Sequence, residues 1–320
     1  MKTTSMKRTA ALRAIFERPG TTLMPFGALP IHAQMAEHAG FEAFEISGAT
    51  ASWYVGGSPD IGMMTMTEMV QLAGSVARCV DIPVFCDADT GYGGPLNVRR
   101  TTQEFVRAGV AGIHIEDQSE PKMAGGRKGI RLASDGEAVG RLQAAVDAKN
   151  ELDPDFVIVA RTDGYDAAGG SLEEAIRRGN LYLKEAGADV VFYEGLRSWE
   201  EIEIALKSTD GPAYSIPART VSRHPSLAEM SAMGQKINIF RFLVPGLQEA
   251  WKMLLKIQRG GEMTPLDDYL ESLAELEGTN EYAGYGDLFI NPTYDVVRQM
   301  EEKYLPPELR RNYDAPTGGD

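Results

Sequence analysis

"IPVFCDADTGYGG", residues 82–94, is a short apolar run that ends in two acidic residues and a glycine-rich turn. The next segment, "PLNVRRTTQEFVRAG", carries apolar residues at helical spacing and ends in glycine, a common residue just after a helix. A short apolar run followed by an amphipathic helix is typical of a βα unit in a parallel sheet. This stretch therefore predicts an α/β fold.

The same pattern occurs eight times along the chain. The apolar runs are TTLMP (21–25), FEAFEIS (41–47), IPVFCDAD (82–89), AGIHIED (111–117), FVIVARTD (156–163), DVVFYEG (189–195), PAYSIP (212–217) and KINIFRF (236–242). Eight βα units in about 245 residues predict a TIM-type (β/α)8 barrel. The alternative, an open doubly wound sheet, normally carries a glycine fingerprint after its first strand, and "MPFGALPIHAQ" has none.

The domain organisation follows from the same pattern. We expect the barrel to occupy residues 1–260, beginning with a short amphipathic helix that stops before Pro19 and Gly20. Residues 261–320 are acidic and helical in pattern beyond what a barrel needs, so they predict a C-terminal helical extension that covers the barrel or is exchanged between subunits.

Composition excludes several classes of partner. The 320 residues carry a formal net charge of −14, which argues against nucleic acid or an anionic membrane as a partner. No apolar run approaches the roughly 18 residues that a membrane span needs. Cys79 and Cys86 form no disulfide framework, so we expect a reducing, cytoplasmic location. An anionic small-molecule substrate would need a local basic site.

Polar residues follow five neighbouring strands, at the face where a barrel of this type has its active site. They are Ser47 and Gly48 after the second run, Asp87 and Asp89 in the third, Glu116 and Asp117 in the fourth, Arg161 in the fifth and Glu194 in the sixth. Asp87 and Asp89 are two residues apart and would share one side of an extended strand. Solvated loop charges would explain any one of these residues, but they explain five successive strand ends less well.

Several carboxylates at one rim would repel each other unless a cation neutralised them. Mg²⁺, with Mn²⁺ as an alternative, prefers oxygen ligands and needs only one or two protein carboxylates. The four scattered histidines argue against a histidine-rich metal site, and we interpret His114 as a structural residue. Arg161 would bind a substrate carboxylate with two parallel hydrogen bonds, helped by the amides of Gly48 and Ala49 after Ser47.

The sequence resembles the isocitrate lyase and phosphoenolpyruvate mutase superfamily, with methylisocitrate lyase-like enzymes as the nearest branch. The motifs that carry this resemblance extend from about Met24 to Phe242 and are GFEAFEISGA, GGSPDIG, PVFCDADTGYGG, AGIHIEDQ, DPDFVIVARTDG and EAGADVVFYEG. The resemblance implies a Mg²⁺-dependent barrel whose eighth helix is swapped between subunits of a dimer or tetramer.

The resemblance also implies roles for individual residues. Asp87 would bind the metal directly, while Asp89 and Glu116 would hold its water ligands. Ser47, Gly48 and Arg161 would bind the carboxylate of a 2-oxo acid or its enolate. The other implied active-site residues are the mobile acid Asp60, Tyr92, Lys122 and the substrate-holding Glu194.

The segment "EPKMAGGRKG", residues 120–129, departs from the lyase pattern. Lyases of this superfamily carry a lid that reads KRCGH, which aligns with residues 122–126. Its cysteine falls on Ala124 and its histidine on Gly126, and neither residue has a proton to donate. We expect a flexible basic lid that closes over an anionic substrate without those two groups.

These features predict a lyase or decarboxylase that cleaves a C–C bond of a small 2-hydroxy or 2-oxo dicarboxylate through a metal-stabilised enolate. If CO₂ departs, solvent or Tyr92 can protonate the enolate; a larger departing fragment needs another acid. One alternative is a phosphonopyruvate-type hydrolase or mutase that cleaves a P–C bond. A second is a metabolite-binding barrel without catalytic activity.

Overall fold

The computed structural model describes residues 7–127, 129–218, 220–221, 223–283, 289 and 293–311. The chain divides into two compact units, residues 1–245 and residues 246–320. The candidate site residues all belong to the first unit.

The first unit contains eight parallel strands, and each overlaps one of the eight apolar runs. The strands are β1 (Thr22–Gly27), β2 (Phe44–Ile46), β3 (Val84–Asp87), β4 (Gly112–Glu116), β5 (Val157–Thr162), β6 (Val190–Glu194), β7 (Ala213–Ile216) and β8 (Ile237–Phe240). From β1 to β7, each strand pairs with the next strand along the chain, and β8 pairs with β1.

The barrel closes between β7 and β8 through a short contact. Ala213 and Gln235 form a parallel bridge just before β8. The Gln235 side chain then accepts a hydrogen bond from the Ser215 amide at 3.1 Å and donates to the Ser215 carbonyl at 2.7 Å. A side-chain amide thus extends the short backbone contact at this seam. The predicted TIM-type barrel is confirmed.

Helices follow the strands in the order expected for a barrel. In the first unit they are α1 (Arg8–Glu17), α2 (Pro30–His38), α3 (Gly48–Ala51), α4 (Met66–Arg78), α5 (Pro95–Ala108), α6 (Asp135–Leu152), α7 (Leu172–Leu181), α8 (Trp199–Lys207) and α9 (Leu227–Met233). Single wider turns, Ser52–Gly56 and Tyr182–Ala186, extend α3 and α7.

The strands are buried on both faces, as in other all-parallel barrels. On β2, Phe44 and Ile46 pack in the cluster under the helices, whereas Ala43, just before β2, packs in the interior cluster. Leu12 and Phe16 of α1 belong to that interior cluster, together with residues that precede strands. The predicted N-terminal helix therefore fills the amino end of the barrel and leaves the carboxyl end to the polar residues.

The second unit contributes three further helices. They are α10 (Val244–Gly260), which begins two residues before the division, α11 (Thr264–Ala274) and α12 (Tyr294–Tyr304). None of their described residues is buried, and Leu247, Trp251 and Leu254 on α10 are exposed apolar side chains. Across the described ranges, no helix has the length and apolar character that crossing a membrane requires.

Candidate active site

Asp87, the last residue of β3, lies at the centre of the site and is held by three groups. Its Oδ2 accepts a hydrogen bond from the Gly48 amide at 3.1 Å, and its Oδ1 accepts one from the Asp89 amide at 2.9 Å. His114 Nδ1 lies 3.6 Å from the same Oδ1. A Cβ at Gly48 would lie 2.6 Å from Oδ2, so this close approach requires glycine. The carboxylate is therefore held in one orientation.

The charge state of Asp87 follows from its neighbours. Burial alone would raise its pKa, but the positive charges of His114, Lys122 and Arg161 outweigh burial and lower the pKa to about 2. Asp87 is therefore an anion at neutral pH and has the charge that a cation ligand needs.

Asp89 reaches the site by a different route from the one the sequence predicts. The expectation of an extended strand through Asp89 was wrong, because β3 ends at Asp87 and Asp89 has a left-handed backbone, with φ of 46°. Its Oδ1 nevertheless accepts a 2.6 Å hydrogen bond from Lys122 Nζ. Burial raises the pKa of Asp89 to about 6, although the Lys122 charge opposes the shift and Asp87 adds to it.

Glu116, the last residue of β4, is 1% exposed. Its Oε1 lies 3.7 Å from Lys122 Nζ and its Oε2 lies 3.4 Å from an Arg161 NH2 group. In the part of the chain that the structure describes, neither oxygen has a hydrogen-bond partner. Burial raises the pKa of Glu116 well above its usual range, against the two positive charges. Two buried carboxyl oxygens are thus available to water molecules or a cation.

Lys122 places the positive charge of its side chain among three carboxylates. Its Nζ lies 3.0 Å from Asp60, 2.6 Å from Asp89 and 3.7 Å from Glu116, and the residue is 2% exposed. Burial lowers its pKa, but the surrounding acids outweigh burial and raise the pKa well above its usual range. The site therefore already favours a cation among these carboxylates.

The donor set fits a hard cation with few protein ligands. Within the described ranges, no three histidine, cysteine, aspartate or glutamate side chains form a complete metal cage. Mg²⁺ typically takes one or two carboxylates and keeps several waters, and the anionic Asp87 and the unpartnered oxygens of Glu116 fit such a site.

Arg161 near the end of β5 is fixed by a residue that sequence reasoning missed. Its Nε and NH2 groups each donate to Asp163 at 3.1 Å. The guanidinium also lies 5.3 Å from the centre of the Phe192 ring. Asp163 thus occupies the Nε and Nη2 edge of the guanidinium, and Nη1 is the nitrogen that does not face Asp163. The local signal for this pair was the "RTD" spacing, which puts both side chains on one side of a strand.

Glu194 at the end of β6 lies beside two arginines. Its Oε2 is 3.8 Å from an Arg161 NH2 group. Burial raises its pKa to about 7, while Arg161 and Arg241 oppose the shift and Asp163 adds to it. Arg241, which directly follows β8, is a second basic residue at this mouth that the sequence did not single out.

The lid segment lies over these residues. The Gln118 side chain exchanges two 2.9 Å hydrogen bonds with the Met123 backbone and fixes the start of the lid. A Cβ at Gly125 would lie 2.3 Å from an Arg161 NH2 group and 2.5 Å from Glu194 Cγ, so only glycine permits this approach. The predicted lid thus contacts the site directly in this structure. Lys128 of the same segment lies outside the described residues.

The remaining predicted residues lie around Asp87. The Tyr92 hydroxyl is buried, and across the described residues it has no hydrogen-bond partner. Burial, with Asp89 and Asp87, raises the pKa of Tyr92 well above its usual range, so the phenol keeps its proton. Ser47 precedes α3, and Ala49 lies in its first turn, partly exposed.

Asp117 is the one strand-end acid that points away from this group. Its Oδ2 accepts hydrogen bonds from Thr162 Oγ1 at 2.8 Å and from the Tyr182 hydroxyl at 2.7 Å, and lies 3.4 Å from Arg178. Side chains alternate along the chain, so the Asp117 side chain points to the helix side of the barrel whereas that of Glu116 points inward. Its role is to join β4, β5 and α7.

A parallel eight-stranded barrel with acidic side chains, a fixed arginine and a lysine-bearing lid at its carboxyl end defines a TIM-type enzyme site for small anions. The chain belongs to the phosphoenolpyruvate phosphomutase family, whose sequence profile matches residues 13–244. The resemblance to the isocitrate lyase and phosphoenolpyruvate mutase superfamily is thereby confirmed.

Relatives in this superfamily carry out two kinds of chemistry. The chain is 40% identical over 310 residues to a 2-methylisocitrate lyase of Aeropyrum pernix, covering 96% of this chain and 95% of the relative. It is similar to a crystal structure of phosphoenolpyruvate phosphomutase from Streptomyces platensis subsp. rosaceus, with a TM-score of 0.78, 33% identity, and coverage of 93% and 99%. It is also similar to a phosphonopyruvate hydrolase in complex with oxalate and Mg²⁺, with a TM-score of 0.76, 26% identity, and coverage of 94% and 100%. The superfamily thus includes C–C lyases as well as mutases and hydrolases.

Proposed function

We propose that this protein is a Mg²⁺-dependent lyase or decarboxylase that cleaves a C–C bond in a small 2-hydroxy or 2-oxo dicarboxylate. The observation that carries the proposal is the convergence of Asp87, Asp89 and Glu116 with the fixed guanidinium of Arg161. Such a site binds a cation and an anion next to each other, as cleavage beside a carbonyl or hydroxyl group requires. The lyase relative of nearly equal length supports C–C chemistry.

Asp87 would hold Mg²⁺ or Mn²⁺ directly, and Asp89 and Glu116 would hold its water ligands. A divalent cation in this place supplies positive charge that stabilises the negative charge developing on a substrate oxygen. The protein's own contribution is to keep Asp87 ionised and oriented, through the Gly48 and Asp89 amides and the nearby positive charges.

Arg161 would bind the carboxylate next to the reacting carbon, with Ser47, Gly48 and Ala49 lining the same anion. The Gly48 amide already donates to Asp87, so its main contribution is to hold the Asp87 carboxylate in place. Lys122 and Asp60 would contact the substrate from the lid side, since their 3.0 Å ion pair links the lid to the loop before α4. Glu194, with its pKa near 7, would hold a substrate hydroxyl.

The proton needed at the end of the reaction would come from Tyr92 or from solvent. The Tyr92 hydroxyl keeps its proton at neutral pH and lies near Asp89 and Asp87. Ala124 and Gly126 carry no acidic proton, so the lid does not supply one. These features favour loss of CO₂ or of another fragment that does not require a strong acid.

A second candidate is a phosphonopyruvate-type P–C hydrolase or mutase. The similarity to a phosphonopyruvate hydrolase along the full length of that chain favours it. A metabolite-binding barrel without turnover is the third candidate. One assay separates the three: the purified protein with Mg²⁺ is incubated with 2-hydroxy dicarboxylates, 2-oxo dicarboxylates and phosphonopyruvate, and pyruvate, CO₂, phosphate and phosphoenolpyruvate are measured. Release of phosphate (hydrolase) or formation of phosphoenolpyruvate (mutase) from phosphonopyruvate supports the second, and ligand binding without product supports the third.

We further propose that residues 261–320 are a helical extension exchanged between subunits of a homodimer or homotetramer. The exposed apolar side chains Leu247, Trp251 and Leu254 of α10, the helix that directly precedes this extension, support coverage by a second copy. A cytoplasmic location stays a prediction of the sequence.

Arg241 is the residue through which we expect the substrate's second carboxylate to be recognised. It lies two residues beyond the interior Ile239, and its guanidinium lies 5.6 Å from the centre of the interior Phe26 ring. Arg241→Gln should weaken binding of a 2-oxo dicarboxylate about tenfold or more and leave binding of pyruvate nearly unchanged. Calorimetric titration with Mg²⁺ present measures both.

Arg107→Gln is the matched control, because Arg107 lies exposed on α5 and pairs with Glu104 at 2.7 Å, outside the site. Equal loss of mono- and dicarboxylate binding in Arg241→Gln would show that Arg241 does not recognise the second carboxylate.

The lid should tolerate only certain residues at position 126. Gly126 has a left-handed backbone with φ of 71°, which costs other residues about 1 to 2 kcal/mol. Gly126→Val should therefore lower kcat/KM roughly five- to thirtyfold, whereas Gly126→Asn, which adopts this conformation more readily, should remain near wild type. Steady-state kinetics of the native reaction measures this difference.

The double variant Ala124→Cys/Gly126→His restores the cysteine and the histidine of the lyase lid. Equal activity of the Val and Asn variants would show that the lid does not need this backbone in turnover. Cleavage of 2-methylisocitrate by the double variant would show that only the lid has diverged from the lyases.

A further inference from the structure

An unexpected carboxylate lies inside the barrel beneath the site. Glu45 is the middle residue of β2, and the alternation that turns Phe44 and Ile46 toward the helices turns Glu45 inward. It is 3% exposed, and its register partners on the adjacent strands are Phe26 and Phe85. A carboxylate in such apolar surroundings is costly unless it is paired. Glu45 therefore calls for a functional or structural reason.

The partner of Glu45 is His114. The Nε2 atom of the imidazole lies 3.3 Å from Glu45 Oε1. The rings of Phe85 and Phe192, with centroids 5.5 and 5.6 Å from that of the imidazole, hold it from two sides. Its other nitrogen, Nδ1, faces Asp87 Oδ1 at 3.6 Å. One rigidly packed imidazole thus connects Glu45 on β2 to Asp87 on β3.

This connection is the side-chain support of Asp87 from inside the barrel. The two hydrogen bonds that hold Asp87 come from backbone amides, those of Gly48 and Asp89. His114 adds a contact from β4, and Glu45 fixes which way the imidazole is turned. Removal of a group that contacts a metal ligand and orients it typically lowers metal affinity about ten- to a hundredfold.

We propose that Glu45 is a positioning residue of the metal site: it orients His114 and, through it, the carboxylate of Asp87. This inference rests on the proposed function, because it takes Asp87 to be the direct metal ligand. A pair that served stability alone would change the unfolding temperature when broken but would leave the metal affinity of the folded protein unaltered.

The test measures the Mn²⁺ dissociation constant of the full chain by electron paramagnetic resonance, without substrate, together with the thermal unfolding midpoint. Glu45→Leu removes the hydrogen-bond acceptor, whereas Glu45→Gln keeps the shape and one oxygen that can accept from Nε2. We expect the dissociation constant to rise about tenfold or more for Glu45→Leu and less for Glu45→Gln.

Asp189→Asn is the matched control. Asp189 accepts hydrogen bonds of 2.9 and 2.8 Å from the buried Lys149 and lies just before β6, at the opposite end of the barrel. The substitution Asp189→Asn should lower the thermal unfolding midpoint and leave the Mn²⁺ dissociation constant unchanged.

The outcomes separate the two proposals. A dissociation constant for Glu45→Leu within about twofold of wild type overturns the positioning role and leaves the metal site intact. Should Glu45→Leu fail to fold, Glu45→Met, which also lacks an oxygen acceptor but has a flexible side chain of similar length, takes its place under the same criterion. Absence of saturable Mn²⁺ binding in the wild-type protein instead overturns the metal-dependent function, and this inference with it.

Discussion

Asp87→Ala should lower kcat/KM at least about a thousandfold, because loss of the cation removes several kcal/mol of charge stabilisation in the transition state. Asp87 is the only candidate ligand that combines a pKa near 2 with two backbone hydrogen bonds. Its removal also leaves His114 without the carboxylate that faces its Nδ1 atom. Saturable Mn²⁺ binding should disappear together with activity.

The measurement is steady-state kinetics across a Mg²⁺ titration, with chelation of the wild-type protein as an independent route to the metal-free state. Asp81→Ala is the control, since Asp81 is a fully exposed aspartate that lies just before β3 and pairs with Arg8 at 3.4 Å. Wild-type activity of Asp87→Ala at limiting Mg²⁺ would place the metal elsewhere.

Arg161→Lys should raise KM, lower kcat and reduce kcat/KM by about a hundredfold. A lysine ammonium is a point charge and cannot donate in parallel to Asp163 while it binds a substrate carboxylate. Hydrogen bonds to charged groups contribute about 1.5 to 3 kcal/mol each, so losing one or two accounts for a change of this size. Lysine also loses the planar contact with Phe192.

Arg177→Lys is the control for Arg161→Lys. Arg177 makes the same kind of paired contact, to Asp135 at 2.8 and 3.0 Å, but on the surface of the protein. It should leave kinetics unaltered. If Arg161→Lys also kept wild-type kinetics, the substrate carboxylate would have to bind at another residue, and Arg241 would be the next one to test.

The position of the strands could be predicted because each strand is a short apolar run between polar segments. "AGIHIED" and "FVIVARTD" show this clearly, since Glu116 and Arg161 become neighbours in register once both runs are strands. The meeting of polar strand ends at one face follows from the parallel order alone. The acid cluster and Arg161 could therefore be located without coordinates.

The partners of these residues could not be predicted in the same way. Lys122 is separated from Asp60 by 62 positions, and their contact depends on how the lid folds back over the barrel. Asp89 reaches Lys122 through a left-handed backbone that no strand periodicity predicts. Glu45 did carry a local signal, a charged residue within an apolar run, but its pairing with His114 needed the register of three strands.

The sequence by itself determined the eight strands, the face of the barrel that carries the site and the residue types presented there, because periodicity and strand order are encoded locally. Only the tertiary structure decided that Lys122 lies among three carboxylates, that Gly125 packs against Arg161 and that Glu45 contacts the imidazole of His114, which faces Asp87. These contacts join segments far apart in the chain, and their distances depend on side-chain packing that the order of residues does not display.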